Sequence, residues 1–266
     1  MDIEVTTAAE LLESLGTERF GAAFDRLALT AAPFDMSCVF AFHPTRRPSL
    51  VHDGYSSRVP RQTLSAYLHG GYHLDPFFVA SIAATDDGLW RMRDLAPDQF
   101  FGSEFAGSAS VHPCISAQEG ALVEEIGWIV PLGSEWTAIC SLMRNRGGRP
   151  FGEAEVLRLR APVPVVAAAV RHHWTMATPA GQEGIGEVDS VLQRAFGDLL
   201  TPAQFQVVTM LLRGHSGTSI ARALGITAGT VKVHRHNAYQ RLDITCQADL
   251  FALFLDALEA SPEGPA

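Results

Sequence analysis

The chain has 266 residues, 47% of them hydrophobic and 18% charged, and a formal net charge of −9. That length holds two ordinary domains, and that composition belongs to a globular protein rather than a disordered one. No apolar run approaches the roughly 20 residues of a membrane helix, and the acidic N-terminus lacks the basic segment of a signal peptide, so a cytoplasmic protein with no membrane partner is expected.

The four cysteines, Cys38, Cys114, Cys140 and Cys246, are far apart and form no CxxC. They are expected to be reduced thiols, with neither a disulfide framework nor a zinc site, and no metal or cofactor is expected. Helical spacing of Leu11, Leu12, Leu15, Phe20, Phe24 and Leu27 predicts helix over 7–31, broken at Gly16-Thr17 with Thr17 as an N-cap. Met36–Phe42 predicts a buried strand, and 50–55 its hairpin partner across the turn HPTRRP. Helices are predicted over 60–69 and from Asp75-Pro76 to about 84, a strand over 88–94, and a Phe-rich helix over 97–106. Two stronger strands follow at 125–132 and 135–144, joined at Gly133-Ser134. A long helix over 151–174 should bend at Ala161-Pro162-Val163-Pro164.

This order predicts an α+β sandwich, an antiparallel sheet of about five strands flanked by helices, over residues 1–177, of a kind that houses small ligands. The stretch 178–190 contains three glycines and a proline and reads as a linker. Residues 191–266 read as a small all-α domain.

Within that last domain, Thr201-Pro202-Ala203-Gln204 is a helix start: Thr201 caps, Pro202 suits the first helical position, and Gln204 completes a T-x-x-Q capping box. Turns at Gly214–Gly217 and Gly225–Thr227 then separate three short amphipathic helices, the layout of a helix-turn-helix whose last helix enters the DNA major groove. Charge agrees with this. From Arg194 to Arg241 there are six cationic residues and one acid, Asp198, a net of +5. The rest of the chain has 14 basic and 28 acidic residues, a net of −14. A basic module on an acidic body confines phosphate contact to one place. The third helix offers Thr227, Thr230, Val231, Lys232, His234, Arg235, Asn237 and Arg241 as candidate contacts to double-stranded DNA; Val231 also suits the core, and Lys232 is the only lysine in the chain.

The segment resembles the LuxR-type helix-turn-helix of bacterial transcription regulators. Leu200-Thr201-Pro202, Leu224-Gly225-Ile226, Gly229-Thr230-Val231-Lys232-Val233-His234, Arg235, Asn237, Tyr239 and Leu242 carry the likeness. The resemblance implies that Thr230-Val231-Lys232 and His234 meet DNA and that the final helix, about 247–258, forms a dimer contact. It departs from the family's usual Glu at Gln204 and from its polar-Lys-Glu run at Gly217-Thr218-Ser219.

A second stretch, Tyr67, Tyr72, Asp75-Pro76 and Trp90, resembles the Tyr…Tyr…Asp-Pro…Trp pattern of the autoinducer-binding domain of quorum-sensing LuxR regulators. The resemblance implies that Asp75 accepts a ligand N–H and that Tyr67, Tyr72 and Trp90 line the pocket. A further family Trp, one helical turn before Tyr67, is absent; Gln62-Thr63-Leu64 stands there. Asp75 can equally cap the helix begun by Pro76, and the aromatics can equally be core. Together these readings point to a ligand-responsive regulator. The expected species is a homodimer on a palindromic site, nucleoid-associated when bound, sensing an amide- or amine-bearing small molecule and touching RNA polymerase if it activates. Two alternatives remain: a regulator whose N-terminal domain binds a protein partner, and a thiol-dependent enzyme using His112 and Cys114. The pair lacks an orienting third group, so the chain is expected not to be an enzyme.

Overall fold

The computed structural model describes residues 5–55, 59–114, 122–145, 148–177 and 191–260; the predicted linker lies outside them. The chain opens with helices α1 (Val5–Glu13) and α2 (Phe20–Ala31). The break falls at Gly16, which takes a left-handed φ of 69°. The predicted cap is two residues early. α2 starts at Phe20, and the Thr17 hydroxyl instead donates to the Ser14 carbonyl and accepts from the Arg19 N–H.

Strands β1 (Met36–Phe42) and β2 (Ser49–Gly54) pair antiparallel. Helix α3 (Arg61–His69), a 3-10 turn over Gly71–Leu74, helix α4 (Pro76–Ile82) and strand β3 (Gly88–Arg91) follow. β3 is shorter than predicted, because Met92–Leu95 turns into helix α5. The predicted helix over 97–106 is a 3-10 turn, Phe100–Gly102, and a single turn α6, Glu104–Gly107, capped by the Ser103 hydroxyl. Phe101 and Phe105 stand at helical spacing, but Phe105 is buried while Phe101 is exposed, and Gly102 and Ser103 break the run.

Strands β4 (Leu122–Gly133) and β5 (Trp136–Asn145) are the longest in the sheet. The turn between them centres on Ser134 and Glu135, both at positive φ, one residue beyond the predicted position. Two left-handed residues match the right-handed twist of the flanking strands. The long helix bends where its prolines require, as α7 (Glu153–Arg160) and α8 (Val163–Ala177).

The five-stranded sheet is antiparallel throughout, in the order β2-β1-β5-β4-β3. β1 and β5 lie inside it and are buried at every position. Alternate side chains of a strand point to opposite faces, so both faces of these two strands are covered. On one face Val39, Ile126, Trp128, Cys140 and Leu142 pack with Phe20, Phe24, Leu159 and Val170 in one apolar cluster. The Trp128 Nε1–H donates to the Leu159 carbonyl at 3.0 Å. On the other, Phe42 meets Phe78 edge-on with centroids 5.5 Å apart. A Cβ on Gly127 would lie 3.0 Å from the Phe77 ring.

The remaining helices are α9 (Val191–Phe196), α10 (Pro202–Leu212), α11 (Gly217–Leu224), α12 (Ala228–Leu242) and α13 (Gln247–Glu259). The chain is thus an α+β sheet domain with a C-terminal helical module. By contact it forms two compact units. One gathers the described residues of Met1–Arg58, Phe77–Leu95 and Gln118–Val188. The other gathers those of Val59–Pro76, Ala96–Ala117 and Asp189–Ala266. The division expected from the sequence was linear; this one interleaves.

Near the end of β5, Arg144 forms a buried ion pair with Glu155 at 2.9 Å. Hydrogen bonds from Arg144 and from the Gly152 N–H hold the Glu155 carboxyl down at about 2, against an ordinary 4.5. A depressed carboxyl contributes stability above its unfolded pKa and loses it as pH falls toward the folded one. Glu155→Gln should therefore cost about 2–3 kcal/mol at neutral pH. In urea melts, that deficit should shrink as pH falls from about 4.5 toward 2; a deficit independent of pH would deny the ion pair its role.

Candidate DNA interface and ligand site

The helical module is capped as its sequence implies. The Gln204 N–H donates to the Thr201 hydroxyl at 3.4 Å, and the Gln204 side chain accepts from the Thr201 N–H at 3.0 Å. Ser216 caps α11 by accepting from the Ser219 N–H, and Gly225 ends that helix in the left-handed region. Thr227 caps α12, accepting from the Thr230 N–H at 3.0 Å. Val207, Val208, Ile220, Val231, Ala238, Leu250 and Phe254 form the core.

The buried residues of α12, Val231 and Ala238, fix which face of that helix is turned inward. Among the candidate contacts, Thr227, Lys232, Arg235, Asn237 and Arg241 are exposed, whereas Thr230 and His234 are half-buried. Val231 is only 2% exposed, which places it with the core. At 3.6 residues per turn, the midline opposite Val231 runs through Gly229, Val233, His236 and Gln240. Val233 is 56% exposed, and sequence reasoning left it off the candidate list. The signal was available: two core positions seven apart, Val231 and Ala238, define the opposite stripe, and Val233 lies on it.

The six cations of the module do not act alike. Arg222, Lys232, Arg235 and Arg241 are exposed. Arg213, which follows α10, turns inward and donates from Nε to the His73 carbonyl at 3.0 Å. Burial lowers the pKa of its guanidinium.

Of the candidate ligand residues, Tyr67, Tyr72 and Asp75 belong to one compact unit and Trp90 to the other. Tyr67, Tyr72 and Asp75 are together and buried, at 3%, 3% and 5% exposure. The Tyr67 hydroxyl donates to Asp75 Oδ2 at 2.8 Å, and the two tyrosine rings meet edge-on at 6.4 Å. Between them, burial and then the charges of Arg213 and Arg194 hold His73 down at about 3, so its ring is neutral. Trp90 lies instead on the edge strand β3, 47% exposed. A groove of about 740 Å³ opens beside α3, lined by Gln62, Thr63, Ala66, Val111, Leu255 and Leu258 and by none of the four candidates.

His112 and Cys114 are both buried, and burial keeps the imidazole down at about 4. Among the described residues neither His112 ring nitrogen has a hydrogen-bond partner, so no bond joins it to the thiol. Its ring lies against Phe105, with centroids 5.0 Å apart.

Comparison with known proteins places these features. The model of "Bacterial regulatory proteins, luxR family" matches residues 198–254. An HTH-type transcriptional regulator of the exeN 3′ region of Aeromonas salmonicida is 34% identical over 202 residues, covering 71% of this chain and 97% of that protein. The transcriptional regulatory protein MctR of Rhizobium johnstonii is 39% identical over 59 residues, 22% of this chain and 28% of its own. Among solved structures, the VqsR LBD domain from Pseudomonas aeruginosa aligns with a TM-score of 0.55 and 23% identity. That alignment covers 65% of this chain and 95% of that one, a likeness of fold.

Removing the Tyr67 hydroxyl takes a donor from a buried carboxylate, which costs about 1–3 kcal/mol. Tyr67→Phe should lower the urea midpoint accordingly with an unchanged m-value; an unshifted midpoint would mean that the Tyr67–Asp75 bond does not support this segment.

Proposed function

Because this chain belongs to the LuxR family of bacterial transcription regulators, we propose that it is a homodimeric regulator that reads a palindromic DNA site in response to a small molecule. Its LuxR-type DNA-binding domain is joined to an N-terminal domain with the fold of an autoinducer-binding domain. The observation that carries the DNA reading is α12, which presents Lys232, Arg235, Asn237 and Arg241 outward from a core anchored by Val231 and Ala238.

Lys232, Arg235 and Arg241 supply phosphate contacts, and Asn237 suits the two hydrogen-bonding positions of an adenine edge. Val233 supplies an apolar surface for a thymine methyl. Two copies of α12 would enter successive major grooves about 34 Å apart, one DNA turn. The acidic remainder of the chain limits phosphate contact to the module. An activator of this design touches RNA polymerase as well. Lys232→Ala should weaken binding to duplex DNA and reduce the slope of log affinity against log salt by about 1. Unchanged mobility and slope would remove Lys232 from the interface.

For the signal, Asp75 is the residue to which a ligand N–H would be drawn, because a buried carboxylate favours donors. A ligand that binds one dimer geometry better than another shifts the population toward it. A thermal-shift screen of the full chain against acyl lactones, small amides and small amines should find a stabilising compound. At 100 times its Kd the gain is about 2.7 kcal/mol, and it should vanish in Asp75→Asn. A second reading is a protein partner in place of a small molecule. It is favoured by Gln62-Thr63-Leu64 where the family has a Trp, and by the bond that already engages Asp75. Stabilisation by no compound, with a protein co-purifying in stoichiometric amount, would select that second reading.

A further inference from the structure

The turn that connects α10 to α11 is docked on two segments that precede the predicted linker. Three hydrogen bonds converge on its four residues. Arg213 donates from Nε to the His73 carbonyl, the Gln99 N–H donates to the Gly214 carbonyl at 2.9 Å, and the Ser216 N–H donates to Asp98 Oδ1 at 2.9 Å. The approach is close. Gly214 has a φ of 86°, and a Cβ there would stand 2.6 Å from the Phe100 Cα.

Ser216 is the N-cap of α11. In a helix-turn-helix the helix before the recognition helix crosses the DNA backbone. Free N–H groups at a helix N-terminus, with the positive end of the helix dipole, are a natural seat for a phosphate. Here an anion from the chain itself takes a donor of that seat. The same dock holds the Arg213 guanidinium on the His73 carbonyl, so both an N–H and a cation of the turn are engaged by other groups of the chain.

We propose that Asp98 is an internal competitor for DNA, its carboxylate occupying on α11 the place of a backbone phosphate, so that the docked module is held from DNA until the contact opens. This rests on the reading of α10 to α12 as a DNA-binding module. The hydrogen bonds from Ser216 also hold the Asp98 carboxyl below its ordinary range, the mark of a contact that prefers the anion. The docked segments are not inert scaffolding. His73, which holds Arg213, lies between Tyr72 and Asp75 in the candidate ligand cluster. A ligand that moves Asp75 therefore moves the carbonyl on which Arg213 rests. A module that binds DNA only when undocked shows an affinity reduced by the fraction undocked.

The test uses the full chain and a non-specific duplex of about 30 base pairs at low salt, where phosphate contact dominates binding. Asp98 and Asp86 are both exposed, so alanine at either removes one surface charge without disturbing the core. Asp98→Ala should bind the duplex roughly three- to tenfold more tightly than Asp86→Ala, and the Ser216 amide should exchange faster in DNA-free Asp98→Ala than in the wild type. Equal affinities for the two variants, with Lys232→Ala still weakening the complex, would overturn the competitor role alone. An unaltered Ser216 exchange rate would also overturn it, since the contact would then not exist in solution. Lys232→Ala binding as tightly as the wild type would overturn the underlying DNA reading itself.

Discussion

The sheet domain is tied at Arg144. Its guanidinium donates to the Pro33 carbonyl from two nitrogens, to the Arg149 and Pro150 carbonyls, and to both oxygens of Glu155, and it lies 4.0 Å over the Phe151 ring. A buried cation is costly unless its donors are met and its charge is paired, and here both conditions hold. The result is geometric as well as energetic. One side chain near the end of β5 positions the chain entering β1, the loop leaving β5 and the first turn of α7. β1 and β5 are covered on both faces, and the helices that cover them must arrive at defined places. A second ion pair does the same nearby: Arg91 of β3 donates to Glu124 of β4 at 2.6 Å, and Glu124 accepts the Phe151 N–H.

The helical module depends on a different economy. Its core is small, so caps and left-handed turns carry much of the definition. Thr201, Ser216 and Thr227 each satisfy an N–H that the helix itself cannot. With the inner face settled by Val231 and Ala238, the outer face of α12 is free to be basic. In the body, Arg91, Arg144 and Arg171 are engaged in ion pairs with Glu124, Glu155 and Asp87; in the module, Arg222, Lys232, Arg235 and Arg241 lie exposed.

Periodicity and punctuation made most elements legible in advance. β1 is continuous apolar sequence because both its faces are buried. The α7–α8 bend follows from prolines, and the capping box from four residues. Misplacements came where a local rule had a competitor. Thr17 bonds the turn that ends α1 rather than capping α2. The phenylalanines at 100, 101 and 105 suggested a helix, yet they serve separate short turns; Phe100 and Phe105 are buried while Phe101 is 57% exposed.

What the sequence determined by itself is the class of the protein: a basic helix-turn-helix, a LuxR-like motif, and an α+β domain ahead of it. Those are properties of neighbours along the chain, where spacing, capping and local charge decide. Only the tertiary structure could decide which compact unit each segment joins. It sets Tyr67, Tyr72 and Asp75 with the helical module, while Trp90 belongs to the sheet. It turns Arg213 inward, and it sets Asp98 against Ser216 across 118 residues of sequence. Contacts at that separation leave no periodicity to read, because they depend on which surfaces meet after the local elements have formed.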